Sequence, residues 1–474
     1  MMAKVGARPT NTTKNHRHGQ EIEMYADSLV GLLSVLDVLR PAFTEPSFRN
    51  LLVLFCGWVL TQGPHAVTQA LVFTGIPGRK HHEAFHRFFS RGTWSPDRVG
   101  RWLFVSICAR LLPPDAPIGA GVDDTLASKK GADVFGIGSH LDPVRSTKAH
   151  RVFAFGHVWV VVGVIVCLPF SSRPWTLPVL FRLYRGKKEC KKNGGIYRKK
   201  TELALEMITI LASWAPERQF ELVADSAYSN ATVLKRLPPN VMFFGDMRPD
   251  AVLTRQPGRR RGNGRRPRRG AKLPKPVVLA ADKRRPWKQC EIRLYGKVRT
   301  IHYKTVDAQW YRAFGAGLLR IVVVRVDSGK DGIRVFFSTD TDRSPEDILA
   351  TYSRRWSIEV CFRDMKQHLG FSDSSARKKK AVERTAPFVG YIYTCLVLWF
   401  SSGVWQTPLA TPPLRPWYPH KKGLCFADII RAAQRILIHV DVLDLTRSIG
   451  NLRDSIDSRA HAKNPKPTGL DRAA

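Results

Sequence analysis

Apolar residues recur at helical spacing through the first quarter of the chain. Leu29, Leu32, Leu33, Leu36 and Leu39 fall on one face, and the pattern continues through 51–60 and 67–73. A Gly75-Ile76-Pro77-Gly78 turn leads to two more helical segments, 81–90 and 96–112. Residues 21–115 therefore read as helices joined by short turns, either a DNA-binding module or a ligand-free helical lid, preceded by a disordered basic tail over 1–20. At Pro117 the pattern changes. Short apolar runs at 118–122, 152–155, 157–168, 222–224 and 241–244 read as buried strands, with a basic loop at 186–200 and a helix at 201–212 among them. This mixture predicts an α/β core over 116–244 and 335–400. Between them, 245–334 reads as a β-rich insertion, with strands at 291–303 and 318–326. Helices follow at 344–369, 386–400 and 426–438. The final region, 401–474, ends in a polar tail.

Charge narrows the partners. The 474 residues hold 76 Lys plus Arg against 39 Asp plus Glu, a formal net charge of +37. Such self-repulsion is relieved by a polyanion, so double-stranded DNA is the first partner to expect and an ordinary metabolic enzyme is not. The run 255–269 holds eight arginines interleaved with glycine and proline. It cannot bury a core and is expected to be a mobile loop. The eight cysteines form no C-x-x-C pair, which argues against a zinc ribbon. Cys56, Cys167 and Cys395 sit in apolar stretches and read as buried free thiols of a reducing cytosol. The N-terminus has no apolar leader. The most membrane-like stretch, 152–170, is β-branched and contains Gly156, His157 and Gly163, so strands explain it better than a bilayer helix. No membrane association is expected.

Candidate chemistry centres on the segment 344–369. Ser344 stands at the N-cap, Pro345 at the first helical position, and Gly370 at the stop. Ile358, Phe362, Met365 and Leu369 form its buried stripe. In one continuous helix, Tyr352, Arg355, Glu359 and Lys366 share an edge beside that stripe, within an arc of roughly 60°. Glu359 there suits a metal, and the other three suit phosphates. A solvated face with an Arg355–Glu359 ion pair is the plainer alternative. Two aspartates add weight, because Asp123 and Asp225 each follow a predicted buried strand. Each alone reads as a cap. Together with Glu359 they can converge on one or two Mg²⁺ ions, with Mn²⁺ able to substitute. Such a centre serves phosphodiester cleavage. Trp356 reads as a core residue, or as a platform for a displaced base.

These residues resemble the DDE transposases of bacterial insertion sequences, the type with a Y-x2-R-x3-E-x6-K signature. Tyr352, Arg355, Glu359 and Lys366 match its spacing. Val122-Asp123-Asp124-Thr125 matches the first motif, a strand followed by D-x-T, and Val223-Ala224-Asp225-Ser226 matches the second. The D-x-T register selects Asp123, with Asp124 as the alternative first carboxylate. The resemblance covers roughly 118–370, with a weaker likeness around His86-Arg-Phe-Phe-Ser-Arg-Gly-Thr-Trp94. It implies an RNase H-like core with a β-rich insertion between Asp225 and Glu359. It also implies metal-dependent cleavage of element ends through a hairpin, joining to target DNA, a homodimeric synaptic complex, and a bacterial cytoplasmic, nucleoid-associated setting.

Two other readings compete. An RNase H-like nuclease or DNA-binding protein without transposition would keep the same fold. His82-Glu83-Ala84-Phe85-His86 satisfies the zinc-protease pattern H-E-x-x-H, although no clear third ligand follows.

Overall fold

The computed structural model describes residues 11–131, 133–142, 145–147, 149–258, 267–294, 297–325, 332–417, 423–442 and 445. Five helices open the chain: α1 (Asn11–Asp37), α2 (Glu45–Leu60), α3 (Val67–Phe73), α4 (Glu83–Ser90) and α5 (Pro96–Leu111). Residues 11–20, expected to be tail, lie within α1. Much of the arginine-rich loop and the C-terminal tail lie outside the described residues.

Among the described residues, ten strands follow in one sheet. They are β1 (Ile118–Ser128), β2 (Gly138–Leu141), β3 (Phe153–Val166), β4 (Trp175–Tyr184), β5 (Phe220–Ala224), β6 (Val241–Met247), β7 (Lys288–Leu294), β8 (Lys297–Gln309), β9 (Leu318–Arg325) and β10 (Ile333–Ser338). The first half has the order β4-β3-β1-β5-β6. Its β1–β3 and β3–β4 pairs are antiparallel, and its β1–β5 and β5–β6 pairs are parallel. This is the RNase H-like arrangement. The second half, β10-β9-β8-β7, is an antiparallel meander that joins β6 and continues the same sheet. The stretch read as two strands between 152 and 168 is mostly one long strand, β3. The run 291–303 instead spans two antiparallel strands, β7 and β8. β4 escaped the sequence reading because Pro178 lies within it. That proline is tolerated because β4 pairs only with β3 and forms an edge.

The remaining helices are α6 (Lys187–Asn193), α7 (Lys200–Ser213), α8 (Ala231–Leu234), α9 (Pro276–Ala281), α10 (Tyr311–Phe314), α11 (Pro345–Ser353), α12 (Trp356–His368), α13 (Lys379–Ser401) and α14 (Phe426–Leu437). α6 occupies part of the expected loop at 186–200. α13 is buried along nearly its whole length, packed among α4, α5, α14 and β4. Its close approach to β4 requires Gly390, where a Cβ would collide with the ring of Phe181. Arg384 ties α13 to the N-terminal helices, donating to the carbonyls of Phe88, Phe89 and Trp94. Among the described residues, no helix is long and apolar enough to cross a membrane. Cys56 and Cys395 are buried as expected, whereas Cys167 is exposed just past the end of β3.

The helix expected over 344–369 is two helices. Ser344 does cap α11, its Oγ accepting from the Asp347 amide at 3.0 Å, and Gly370 takes a left-handed φ of 58°. Between α11 and α12 the amides of Arg354, Arg355, Ser357 and Ile358 bond three residues back, to Thr351, Tyr352, Arg354 and Arg355. That tighter 3₁₀ turn rotates each residue further than an α-helix does. Ser353 and Ser357 donate to the carbonyls of Ala350 and Arg354, which favours a bend. The single-helix arc therefore does not extend across the joint.

Candidate active site

Strand register brings three aspartates into one row. β1 and β5 pair as far as Val122 and Ala224, and β5 and β6 as far as Ala224 and Gly245. The next residue on each strand is Asp123, Asp225 and Asp246. β5 ends there, while β1 continues antiparallel to β3, with Asp123 opposite Val161. Asp123 is thus a mid-strand residue rather than the strand end the sequence suggested. Burial pushes its carboxyl up to about 7, and Asp225 beside it adds to the rise. Burial also raises Asp225, against the pull of Arg355. Asp246 escaped the sequence reading, although Val241-Met-Phe-Phe-Gly-Asp246 repeats the signal of an apolar strand followed by an aspartate.

Arg355 joins the strand row to the helix. Its Nη1 stands 3.2 Å from Asp123 Oδ2, and its Nη2 stands 2.6 Å from Glu359 Oε1. Burial works against its charge, but Tyr352, Glu359 and Asp123 outweigh that cost and hold the guanidinium above its ordinary pKa. The expected i,i+4 pair therefore exists and extends to the sheet.

The other two residues of the expected edge divide. Tyr352 belongs to α11 and is only 5% exposed, its ring 4.8 Å from that of Phe336. Burial and nearby Asp246 push its hydroxyl up to about 12. It packs beneath Arg355 rather than facing solvent. Lys366 is exposed on α12, seven residues beyond Glu359 and so on nearly the same edge. Desolvation lowers its ammonium, while Asp142 acts in the opposite direction.

Asp124 faces the other side of the sheet, as strand alternation requires. It accepts from Lys200 Nζ at 2.6 Å and from the Tyr228 hydroxyl at 2.9 Å. Neither partner carried a sequence signal. Trp356, read as a core residue, is 51% exposed and lines a surface pocket with Arg173, Arg299 and Arg354.

The oxygen-only donors and the mutual repulsion of Asp123 and Asp225 suit a hard divalent cation. Among the described residues, no group of three or more His, Cys, Asp or Glu lies close enough to hold one metal ion. Glu359 is tied to Arg355 instead. The H-E-x-x-H residues do not form a zinc site. α4 begins at Glu83, which pairs with Arg87 at 2.8 Å, and His82 and His86 are exposed.

An RNase H-like sheet with paired aspartates on its central strands and a glutamate on an adjoining helix defines a class of metal-dependent nucleases. The family model described as "DDE superfamily endonuclease" matches residues 38–312, more than half the chain. One described as "Archaeal putative transposase ISC1217" matches residues 311–398. The chain belongs to the DDE superfamily of endonucleases, as a nuclease of the transposase type. The first match contains Asp123 and Asp225, and the second contains Glu359. DNA is its substrate, and nucleases of this superfamily depend on divalent metal. No curated protein matches the chain.

Proposed function

We propose that this transposase cuts the ends of a mobile DNA element and joins them to target DNA, with Asp123, Asp225 and Glu359 as its catalytic carboxylates. The observation that carries the reading is the bridge from Asp123 through Arg355 to Glu359, with Asp225 in register beside Asp123. Asp123 and Asp225 would hold Mg²⁺, and Glu359 would complete the set once Arg355 turned its guanidinium to a phosphate. A metal held there would supply activation of the attacking hydroxyl and charge neutralisation at the leaving oxygen.

The protein's own residues position the DNA. Arg355 offers a planar fork to two phosphate oxygens beside the cut, and Lys366 offers a point charge further along α12. Tyr352 contributes by packing under Arg355 and fixing where its fork lies. The two cleaved ends pass through a hairpin, held by two copies of the chain.

The test is incubation of the purified protein with MgCl₂ and a plasmid carrying its coding region with native flanks. Excision of a fragment with covalently closed ends is the expected result. Nicks scattered without end specificity would reduce the protein to a plain nuclease.

A further inference from the structure

The sheet carries a projection that the cleavage chemistry does not use. β1 stops at Ser128, opposite Gly156, and β4 stops at Tyr184, opposite Val158. β3 runs on past both; beyond the bond from the Lys129 amide to the Phe155 carbonyl it pairs with β2, with Gly138 opposite Gly156 and Leu141 opposite Phe153. The outcome is a two-stranded ribbon extending beyond the sheet. Its outer positions are apolar: Phe155 is 64% exposed, Phe153 60% and Leu141 46%. An aromatic pair left in water on a projecting ribbon marks a contact surface.

Register fixes the direction this surface faces. Val161 pairs with Asp123, and β3 has no irregularity between Val161 and Phe153, so Phe153 and Phe155 share the sheet face of Asp123. Phe155 lies six residues from Val161, about 20 Å along the strand. α12 packs against β1 and β4, the strands on either side of β3. Glu359 lies at its start near Asp123, and Lys366 lies at its far end, within electrostatic reach of Asp142, just past Leu141 at the ribbon's tip. The phosphate-gripping edge of α12 therefore leads from the cut to the ribbon. Arg145 and Arg151 lie exposed in the connection between its strands.

We propose that the β2–β3 ribbon is a second DNA-contacting element, in which Phe153 and Phe155 stack on unpaired bases of the strand leaving the active site. Residues at i and i+2 on a strand stand about 6.6 Å apart, close to two base rises of about 3.4 Å. The two rings can thus meet alternate bases of one strand. Stacking on aromatic faces tolerates any sequence, and the neighbouring arginines take the phosphates. The inference rests on the reading of the protein as a DNA-cleaving enzyme.

The test uses a fork-ended DNA duplex with 2-aminopurine in its unpaired arm. Wild-type protein should change the probe's fluorescence as the base stacks. F153S/F155S should lose about tenfold or more in affinity, together with the fluorescence change, at an unaltered salt slope. Both rings are exposed, so the variant should fold normally. F153L/F155L keeps apolar area without the aromatic face and should lose the fluorescence change as well. Unchanged affinity and fluorescence in both variants, while the wild type still cleaves DNA, would overturn the ribbon's role alone. Loss of dimer mass in light scattering with DNA affinity retained would make the ribbon a contact between copies, and overturn it too. A wild type that neither binds nor cleaves DNA would overturn this inference and the proposed function together.

Discussion

Arg355 and Asp123 lie 232 residues apart in sequence and 3.2 Å apart in space. The contact closes the molecule across its β-rich second half, bringing the junction between α11 and α12 onto the central strand. It also explains how a buried carboxyl with a raised pKa is tolerated beside Asp225, since a guanidinium shared with Glu359 offsets part of the desolvation cost.

Removing a carboxylate should separate chemistry from binding. D225N and E359Q should each lower Mg²⁺-dependent strand cleavage by more than about a hundredfold, beyond the cost typical of losing a partner outside the metal's own ligands. Affinity for DNA should stay near wild type, because the basic surface is untouched. Gel-shift and cleavage assays on the same duplex give both numbers. Cleavage at an undiminished rate by D225N would remove Asp225 from the site.

Much of this was legible in the sequence, and the misses have physical causes. Ser344 and Gly370 marked the two ends of the helical stretch correctly, because caps are local chemistry. The joint at Arg354–Arg355 was hidden, because the bend comes from serine hydroxyls bonding to backbone carbonyls, and apolar periodicity does not report that. Asp123 was singled out by its motif but placed at a strand end, since only tertiary pairing with β3 carries β1 onward to Ser128. Trp356 looked like core because it is large and apolar, yet the joint turns it outward. Lys200 and Tyr228 were invisible as partners of Asp124, because nothing in their spacing announces a contact across the sheet.

Electrostatics should dominate DNA binding. Lys191 and Lys192 are exposed on α6, and 377–380 is an exposed basic run that enters the first turn of α13. Each phosphate contact contributes about −0.9 to the slope of log affinity against log salt. K191Q/K192Q should therefore make the slope shallower by up to about 1.8 if both side chains meet phosphates. A slope near zero for the wild type would contradict the reading, and an unchanged slope in the variant would mark α6 as a solvated face.

The pH response of stability should show a buried histidine. His157 is 3% exposed, and its Nε2 lies 2.9 Å from the carbonyl of Phe135, to which it donates. Burial lowers its pKa to about 4, below the ordinary 6.5. The unfolded chain takes up the proton first as pH falls, so the contribution is whole above about 6.5 and disappears by about 4. Its size is on the order of 3 kcal/mol. H157Q keeps a donor for Phe135 and should flatten this part of the curve in denaturant titrations across that range.

Arg384 should act as a clasp between the helical regions. It is 4% exposed, stacks over Trp94 at 4.6 Å, and supplies donors to three carbonyls at the end of α4 and just beyond. R384M keeps the stem and deletes the donors to the Phe89 and Trp94 carbonyls, while the Phe88 carbonyl keeps the Trp94 indole, and should cost on the order of 3 kcal/mol. A loss within about half a kcal/mol would mean that the carbonyls find other partners.

Arg355→Lys tests whether the bridging guanidinium acts on DNA or only orients Glu359. Lysine keeps the charge beside Asp123 but has no fork, so it can hold one phosphate oxygen and not two. First-strand nicking needs the carboxylates and a single grip. A sharply bent, hairpinned end crowds more phosphate charge at the same place and depends on the fork. R355K should therefore retain nicking within about tenfold, while hairpin formation falls by about a hundredfold or more, in line with the loss of a preorganised charge-stabilising donor. Mg²⁺ affinity, measured by calorimetry on the protein without DNA, should change little. Equal losses of nicking and hairpinning would make Arg355 a residue that only positions Glu359. Normal hairpinning would leave Arg355 as a structural bridge between Asp123 and Glu359 with no part in gripping DNA.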